Sequence, residues 1–315
     1  MSQLSIESMR TYLSKSIASL NRNKINGLLA EIELRKYLQN ITDENRISPG
    51  GWIVRSVGAG IFGHYTAVLF PQTIIPERNF ERNLSYEDPP LGLHTICSTM
   101  HQIGIKSYYC IPTIEAADNP ESVVWLAKQL GIPYEVPYTP LNEIIRDYTV
   151  RKSKYNYLRY KTDSSLIPVQ FLPEEFSKEN LRVHFCSKYL SEVSDIDGIF
   201  WGQQYTYPIE IKEKTSASDN KLGEFFGLDV GPFVKLAFYA AKRGNLHSLY
   251  IVREIDNVET RNLINWWYIT FDTLAQYASW NAIGGGKNML GGGSTVVKIP
   301  KAEFKIFNEE NLSLL

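Results

Sequence analysis

Little in this chain places it quickly. Cysteine occurs only three times, at Cys97, Cys110 and Cys186, an odd and scattered set that excludes a disulfide framework. Reduced thiols and a cytoplasmic location are therefore expected. Cys97 and His101 have a helical i, i+4 spacing suited to zinc, but no two further ligands accompany them. No apolar run approaches the roughly 18–20 residues needed to span a bilayer, so no membrane role is expected. Met1-Ser2-Gln3-Leu4-Ser5 lacks the basic-then-apolar pattern of a secretion signal. There is no G-x-S-x-G elbow, no H-E-x-x-H and no GxxxxGK[ST] loop, which removes three common catalytic and nucleotide-binding signatures. The five histidines (His64, His94, His101, His184, His247) are dispersed and read as structural. A basic excess is missing as well. The net charge is −1, so any contact with nucleic acid has to rest on local charge.

What is there is a pair of short strands with an acid on each. Side chains alternate along a strand, so Glu210 and Lys212 share one face while Ile209 and Ile211 point into a core. Upstream, Asp195-Ile196-Asp197-Gly198-Ile199-Phe200-Trp201 reads as a second strand, with Gly202-Gln203-Gln204-Tyr205 as the turn. A hairpin closed symmetrically there sets Asp197 opposite Glu210 on one face. Like charges opposed in a hairpin repel, and a divalent cation reverses that logic. Hard oxygen ligands of this kind suit Mg²⁺, and Lys212 beside them is suited to activating water or stabilising charge on phosphorus.

The competing reading is an ordinary salt-bridged hairpin, since Glu-x-Lys is a cheap pattern. A second copy, Glu303-Phe304-Lys305, has no acid upstream until Asp272, so no short hairpin delivers a partner carboxylate to it. Pro208 cannot donate to a ladder, so the second strand is expected to begin near Ile209 or to lie at an edge there.

After the triplet, Pro232, the basic Lys242-Arg243 and Gly244 bracket a helix from Phe233 to Arg243. His247 to Arg253 then reads as a strand by its β-branched and aromatic content. The order strand, strand, helix, strand, with Asp197 and Glu210-Ile211-Lys212 across the first two, resembles the PD-(D/E)xK nuclease superfamily. The length and added segments look most like a type II restriction endonuclease. Ile196 stands where that family usually has proline. The resemblance covers roughly residues 180–255 and an N-terminal helix. It implies a mixed central sheet flanked by helices, Mg²⁺ dependence and cleavage of double-stranded DNA, with Asp197 and Glu210 as metal ligands and Lys212 as the catalytic lysine.

The N-terminal helix spans Ile25 to Leu38. Glu31 falls on its apolar flank among Leu28, Leu34 and Leu38, whereas Glu33 falls on the polar side as a solvated charge. A half-buried carboxylate needs a partner. Many members of the superfamily place a helical Glu beside the metal, which makes Glu31 a candidate catalytic residue. An intrahelical pair with Arg35 is the plainer reading.

Candidate DNA contacts come from two segments. Residues 151–161 carry Arg151, Lys152, Lys154, Arg159 and Lys161 with no acid and with three interleaved tyrosines, which suits either backbone contact or a solvated linker. Ile283 to Thr295 holds six glycines with Lys287 and Asn288, and reads as a loop that orders on DNA or as a flexible hairpin. Between residues 60 and 150, a helix over Leu93–Ile103 stopped by Gly104 and a strand over Ile105–Ile111 are expected. They are followed by an amphipathic helix over Glu121–Leu130 and a weak strand over Ile132–Val136.

The expected architecture is α/β: a restriction-endonuclease-like core, with a mixed central sheet flanked by helices and a large inserted region. Residues 1–58 supply N-terminal helices and a first core strand, 59–175 an inserted recognition or dimerisation region, and 176–315 the catalytic core. The expected activity is sequence-specific, Mg²⁺-dependent endonucleolytic hydrolysis, by a homodimer because two antiparallel strands must be cut. A repair or junction-resolving nuclease and an inactive DNA-binding protein with the same fold are the alternatives.

Overall fold

The computed structural model describes residues 3–16, 22–42, 46–55, 65–80, 88–145, 148–153, 164–190, 193–242, 244–279, 283–284 and 295–315. The chain divides into two compact units, one of residues 1–32 and 49–196, the other of residues 33–48 and 197–315. Both are mixed α/β, with sheets flanked by helices. The sequence-based boundaries at 58 and 175 both fall inside the first unit, because strands on either side of each join one sheet.

The first unit contains α1 (Ile6–Ser16), the start of α2 (Arg22–Ile41), β1 (Gly51–Arg55), β2 (Tyr65–Pro71), α3 (Leu91–Gln102) and β3 (Lys106–Ile114). They are followed by β4 (Val123–Leu130), β5 (Thr139–Pro140), α4 (Leu141–Ile144), α5 (Leu172–Lys188) and β6 (Val193–Ile196). Its sheet runs β5-β4-β3-β2-β1-β6, with β2 and β3 parallel and the other pairs antiparallel. α3 and β3 lie where the sequence places them, and Gly104 ends the helix at φ 83°. Aromatic packing of Tyr12 on Phe176 ties α1 to α5. The Trp52 indole donates to the Lys178 carbonyl and the Trp125 indole to Asn180 Oδ1, so both buried N–H groups are satisfied.

Two expectations fail in this unit. Glu121–Leu130 is not a helix: Val123–Leu130 forms β4 and pairs with β3 from Ile114↔Val123 to Ser107↔Leu130. Its apolar spacing satisfies a helical period by coincidence. Val123, Val124 and Trp125 favour a pleated surface, and an eight-pair ladder is a tertiary reward that no local period reports. Pro120 opens only a short 3-10 turn capped by Asn119. Gly131 follows the strand at φ 76°, where a Cβ would collide with the Cys97 backbone. Ile132–Val136 is not a strand, consistent with its proline.

The second unit contains the end of α2, β7 (Gly198–Trp201), β8 (Thr206–Lys214), β9 (Ala217–Asp219), β10 (Gly223–Asp229), α6 (Val230–Ala240) and β11 (Leu249–Ile255). β12 (Leu263–Thr270), α7 (Phe271–Tyr277), β13 (Ile283–Gly284), β14 (Thr295–Pro300), β15 (Lys305–Ile306) and α8 (Glu309–Leu312) complete it. One sheet runs β15-β12-β11-β8-β7 and a second β13-β14-β10-β9. β8 is antiparallel to β7 and parallel to β11, the crossover being made through β9, β10 and α6. The core packs Phe226, Leu228, Phe233, Leu236, Tyr250, Val252, Leu274 and Ile299 together. The expected order of strand, strand, helix, strand is therefore present, with the β9–β10 hairpin added before the helix.

The segment Asp195–Trp201 is not one strand. It breaks at Asp197, its first half being β6 in the sheet of the first unit and its second half β7 in the second unit. Pro208 lies within β8 opposite Ile199. The ladder with β11 begins only at Ile209, one residue past the proline, so no N–H is required of it on that side.

Candidate functional site

β7 and β8 pair with Trp201↔Thr206, Phe200↔Tyr207, Ile199↔Pro208 and Gly198↔Ile209. That register is the one a symmetric turn dictates; it ends at Gly198, and Asp197 lies one residue before the ladder, beside β8. Gly202 is required in the turn because a Cβ there would strike the Tyr207 ring and the Leu315 backbone. Asp197 and Glu210 are both only 3% exposed. The Asp197 carboxylate accepts the Ile211 backbone N–H at 2.7 Å, and its own carbonyl accepts from Arg35 Nη1 at 3.1 Å.

Glu210 is held by two ammonium groups. Lys212 Nζ lies 2.6 Å from Oε1 and Lys235 Nζ, from α6, 2.5 Å from Oε2. Lys235 is nearly as buried as the carboxylate it meets, while Lys212 is one-third exposed. A buried carboxylate without such partners would cost several kcal/mol, so the two lysines explain how Glu210 is tolerated at mid-strand. Lys235 was missed from sequence. Its only local signal is one cation in an otherwise apolar stretch of helix, Phe233-Val234-Lys235-Leu236-Ala237.

Lys214 continues the face of Glu210 and Lys212 by the period of two. Burial holds its ammonium below the ordinary value, Lys212 adds to that, and Asp229 at the end of β10 opposes it. Beneath these groups Tyr250, the β11 register partner of Glu210, is fully buried and donates to the Gly227 carbonyl. Burial raises its phenol far above the usual range, so it is a fixed neutral wall.

Glu31 lies in the first unit, on a half-buried flank of α2 as its spacing predicts. Its partner is not Arg35, which is spent on the Asp197 carbonyl, but Lys178 of α5 at 3.3 Å. Within that unit a carboxylate oxygen of Asp195 also lies within 4.8 Å of one from Glu31. Asp195 is half-buried, and nothing in the sequence distinguishes it from Asp197 except the hairpin register. Glu33, read as a solvated charge, is 45% exposed yet pairs with Arg253 at 2.7 Å.

The proposed DNA contacts fare unevenly. Arg151 turns inward, donating from Nε to the Cys186 carbonyl and from Nη2 to that of Tyr189, so part of its guanidinium closes the end of α5. Lys152 is exposed. Lys154, Arg159, Lys161, Lys287 and Asn288 lie outside the described residues. Cys97, once paired with His101 as a zinc candidate, is fully buried and its thiol is pushed up to about 12. No described cluster of metal-ligating groups includes it. Cys97, Cys110 and Cys186 are all free thiols.

A cavity of about 230 Å³ lies elsewhere in the second unit, lined by Tyr205, Tyr207, His247, Tyr268, Asp272 and Leu315 among others. Neither Asp197, Glu210 nor Lys212 borders it, so this cavity and the carboxylate–lysine cluster are different places. No helix among the described residues is long and apolar enough to cross a membrane. Compared with family models, curated proteins and solved structures, the chain matches none.

Proposed function

We propose that the chain is a Mg²⁺-dependent endonuclease of double-stranded DNA, with a restriction-endonuclease-like core in its second unit. The observation that carries the reading is the buried Glu210 on β8, the strand next to the edge of a mixed five-stranded sheet. Asp197 immediately precedes β7 and accepts the Ile211 N–H of β8, and Lys212 meets Glu210 from the same face. The parallel β8–β11 pair made through α6 agrees with the strand order on which the resemblance rests.

The donor chemistry suits a hard divalent cation: Asp197 and Glu210 would supply carboxylate oxygens, and the cation would take the place of ammonium charge at Glu210. When bound it would polarise the scissile phosphate and lower the pKa of an attacking water. Lys212, the more exposed of the two lysines on Glu210, is the one placed to meet substrate and stabilise charge on phosphorus. Lys235, buried against Glu210, orients that carboxylate. Homodimerisation remains the simplest way to cut both strands.

The same Lys235–Glu210 contact favours a second reading, in which the cluster is a self-neutralised ion-pair core and the protein binds DNA without cutting it. Incubation with mixed plasmid DNA separates the two. Discrete fragments in Mg²⁺, abolished by EDTA, are expected, with Ca²⁺ supporting binding but not turnover. A smear points to a nonspecific nuclease. Cleavage indifferent to chelation removes the metal assignment, and binding without cleavage in any divalent cation selects the second reading.

A further inference from the structure

Three lysines share the face around Glu210, and they are not equivalent. Lys212 and Lys235 are both spent on the Glu210 carboxylate. Lys214 is not spent on anything: among the described residues it has neither an ion-pair nor a hydrogen-bond partner. The carboxylate next to it across the β11 ladder, Glu254, is buried and committed, accepting from the Trp267 indole at 2.7 Å and from Lys301 Nζ at 2.6 Å. Asp229 attracts Lys214 from the end of β10 but makes no ion pair with it.

A half-buried ammonium that no carboxylate among the described residues pairs directly is a cost that folding alone does not explain. Burial and Lys212 both work against its charge. A structural lysine at this position would be expected to pair, as Lys301 and Lys298 do nearby. Lys214 instead leaves donor capacity on the face that carries Glu210. By strand rise it stands about 7 Å along β8 from Lys212.

We propose that Lys214, with Lys212, seats a phosphate group of the substrate, Lys214 being a binding residue that contacts a phosphodiester oxygen rather than a participant in bond cleavage. This rests on the nuclease reading for the identity of the substrate, but the phosphate seat is separable from it. The ligand supplies the direct ion-pair partner that Asp229, acting without an ion pair, does not. Affinity is then gained at the expense of stability in the free protein.

The test uses Lys214→Met, which keeps the apolar stem, Lys214→Arg, which keeps the charge, and Lys305→Met as an exposed control. Duplex binding is followed by fluorescence anisotropy in Ca²⁺ across a salt series. Lys214→Met is expected to weaken binding at least about tenfold and to lower the log–log salt slope by about 0.9, one phosphate contact. In Mg²⁺ its KM rises while kcat stays within a few-fold, and its melting temperature equals or exceeds wild type. Lys214→Arg restores affinity and slope, and Lys305→Met changes neither. An unchanged slope in Lys214→Met overturns the proposal, as does a matched loss of kcat without change in KM. If the wild-type protein neither binds nor cuts DNA, the nuclease reading falls, and titration with inorganic phosphate decides the seat. Saturable binding lost in Lys214→Met sustains it, and equal or absent binding in both proteins overturns it.

Discussion

Glu210-Ile211-Lys212 and Glu303-Phe304-Lys305 are nearly the same chemical string, set twice within one unit. The first lies on a continuous strand, so its acid and base share a face, and both terminal side chains meet at 2.6 Å. The second straddles a boundary: Glu303 ends a 3-10 turn (Lys301–Glu303) and Lys305 begins β15, with only Phe304 buried between them. Glu303 is half-exposed and Lys305 exposed, and both border the Tyr205–His247 cavity rather than a carboxylate cluster. What separates the two copies is the environment built by distant residues, an opposing Asp197 and a lysine from α6. A three-residue motif specifies chemistry only when the fold removes water from it and supplies the counter-charges.

The sharpest way to break the comparison is by activity. Asp197→Ala, Glu210→Ala and Lys212→Ala should each reduce plasmid cleavage by roughly 10²-fold or more, whereas Glu303→Ala and Lys305→Ala should cut within about twofold of wild type. Double variants of the first set should lose little beyond the singles, because the groups act as one unit. Robust cleavage by Glu210→Ala would mean the wrong copy had been chosen.

Stability sharpens it next. Removing Lys235 leaves a buried carboxylate short of an ion-pair partner, so Lys235→Ala should lose about 3–5 kcal/mol in urea unfolding. Lys305→Ala, on the surface, should stay within about 0.5 kcal/mol. Equal effects at the two positions would return Glu210 to the status of an ordinary surface charge.

The smallest effect is alkaline. Lys214 sits below its ordinary value of 10.5 in the folded protein. Over the interval between its folded value and 10.5 the unfolded chain holds more protons, so stability rises with pH there. The burden of the buried ammonium is fully present below the folded value and is relieved as pH climbs through it. The difference in unfolding free energy between Lys214→Met and wild type should therefore shrink toward high pH, while that for Lys305→Met stays flat.

Much of the second unit was legible because its signals are local. Alternation in Ile209, Glu210, Ile211 and Lys212, the short turn at Gly202–Tyr205, and the apolar helix after Asp229, which ends at Ala240 rather than at Gly244, each depend on neighbours in sequence. The hairpin register followed from the turn alone. Glu31 was legible as a half-buried acid for the same reason, its place on the helix face being a matter of 100° per residue.

Partners were not legible. Lys178 for Glu31 comes from 147 residues away and Lys235 for Glu210 from 25. Lysine in a helix carries no mark of what it will meet. β4 was misread for a related reason: Val123–Leu130 satisfies both periods, and only the presence of β3 as a pairing edge chose strand. The segment Asp195–Trp201 looked continuous because its pattern is continuous, yet its two halves joined different sheets.

The sequence by itself determined the α/β class, the β7–β8 hairpin with its register, the crossover helix and the reduced cysteines, since each follows from short-range periodicity, turn chemistry or composition. Only the tertiary structure decided that residues 49–196 close into their own six-stranded sheet, that Glu210 is clamped by Lys235, and that Lys214 is left without an ion-pair partner among the described residues. Those outcomes depend on which distant groups share a desolvated volume, and neither spacing nor propensity encodes that.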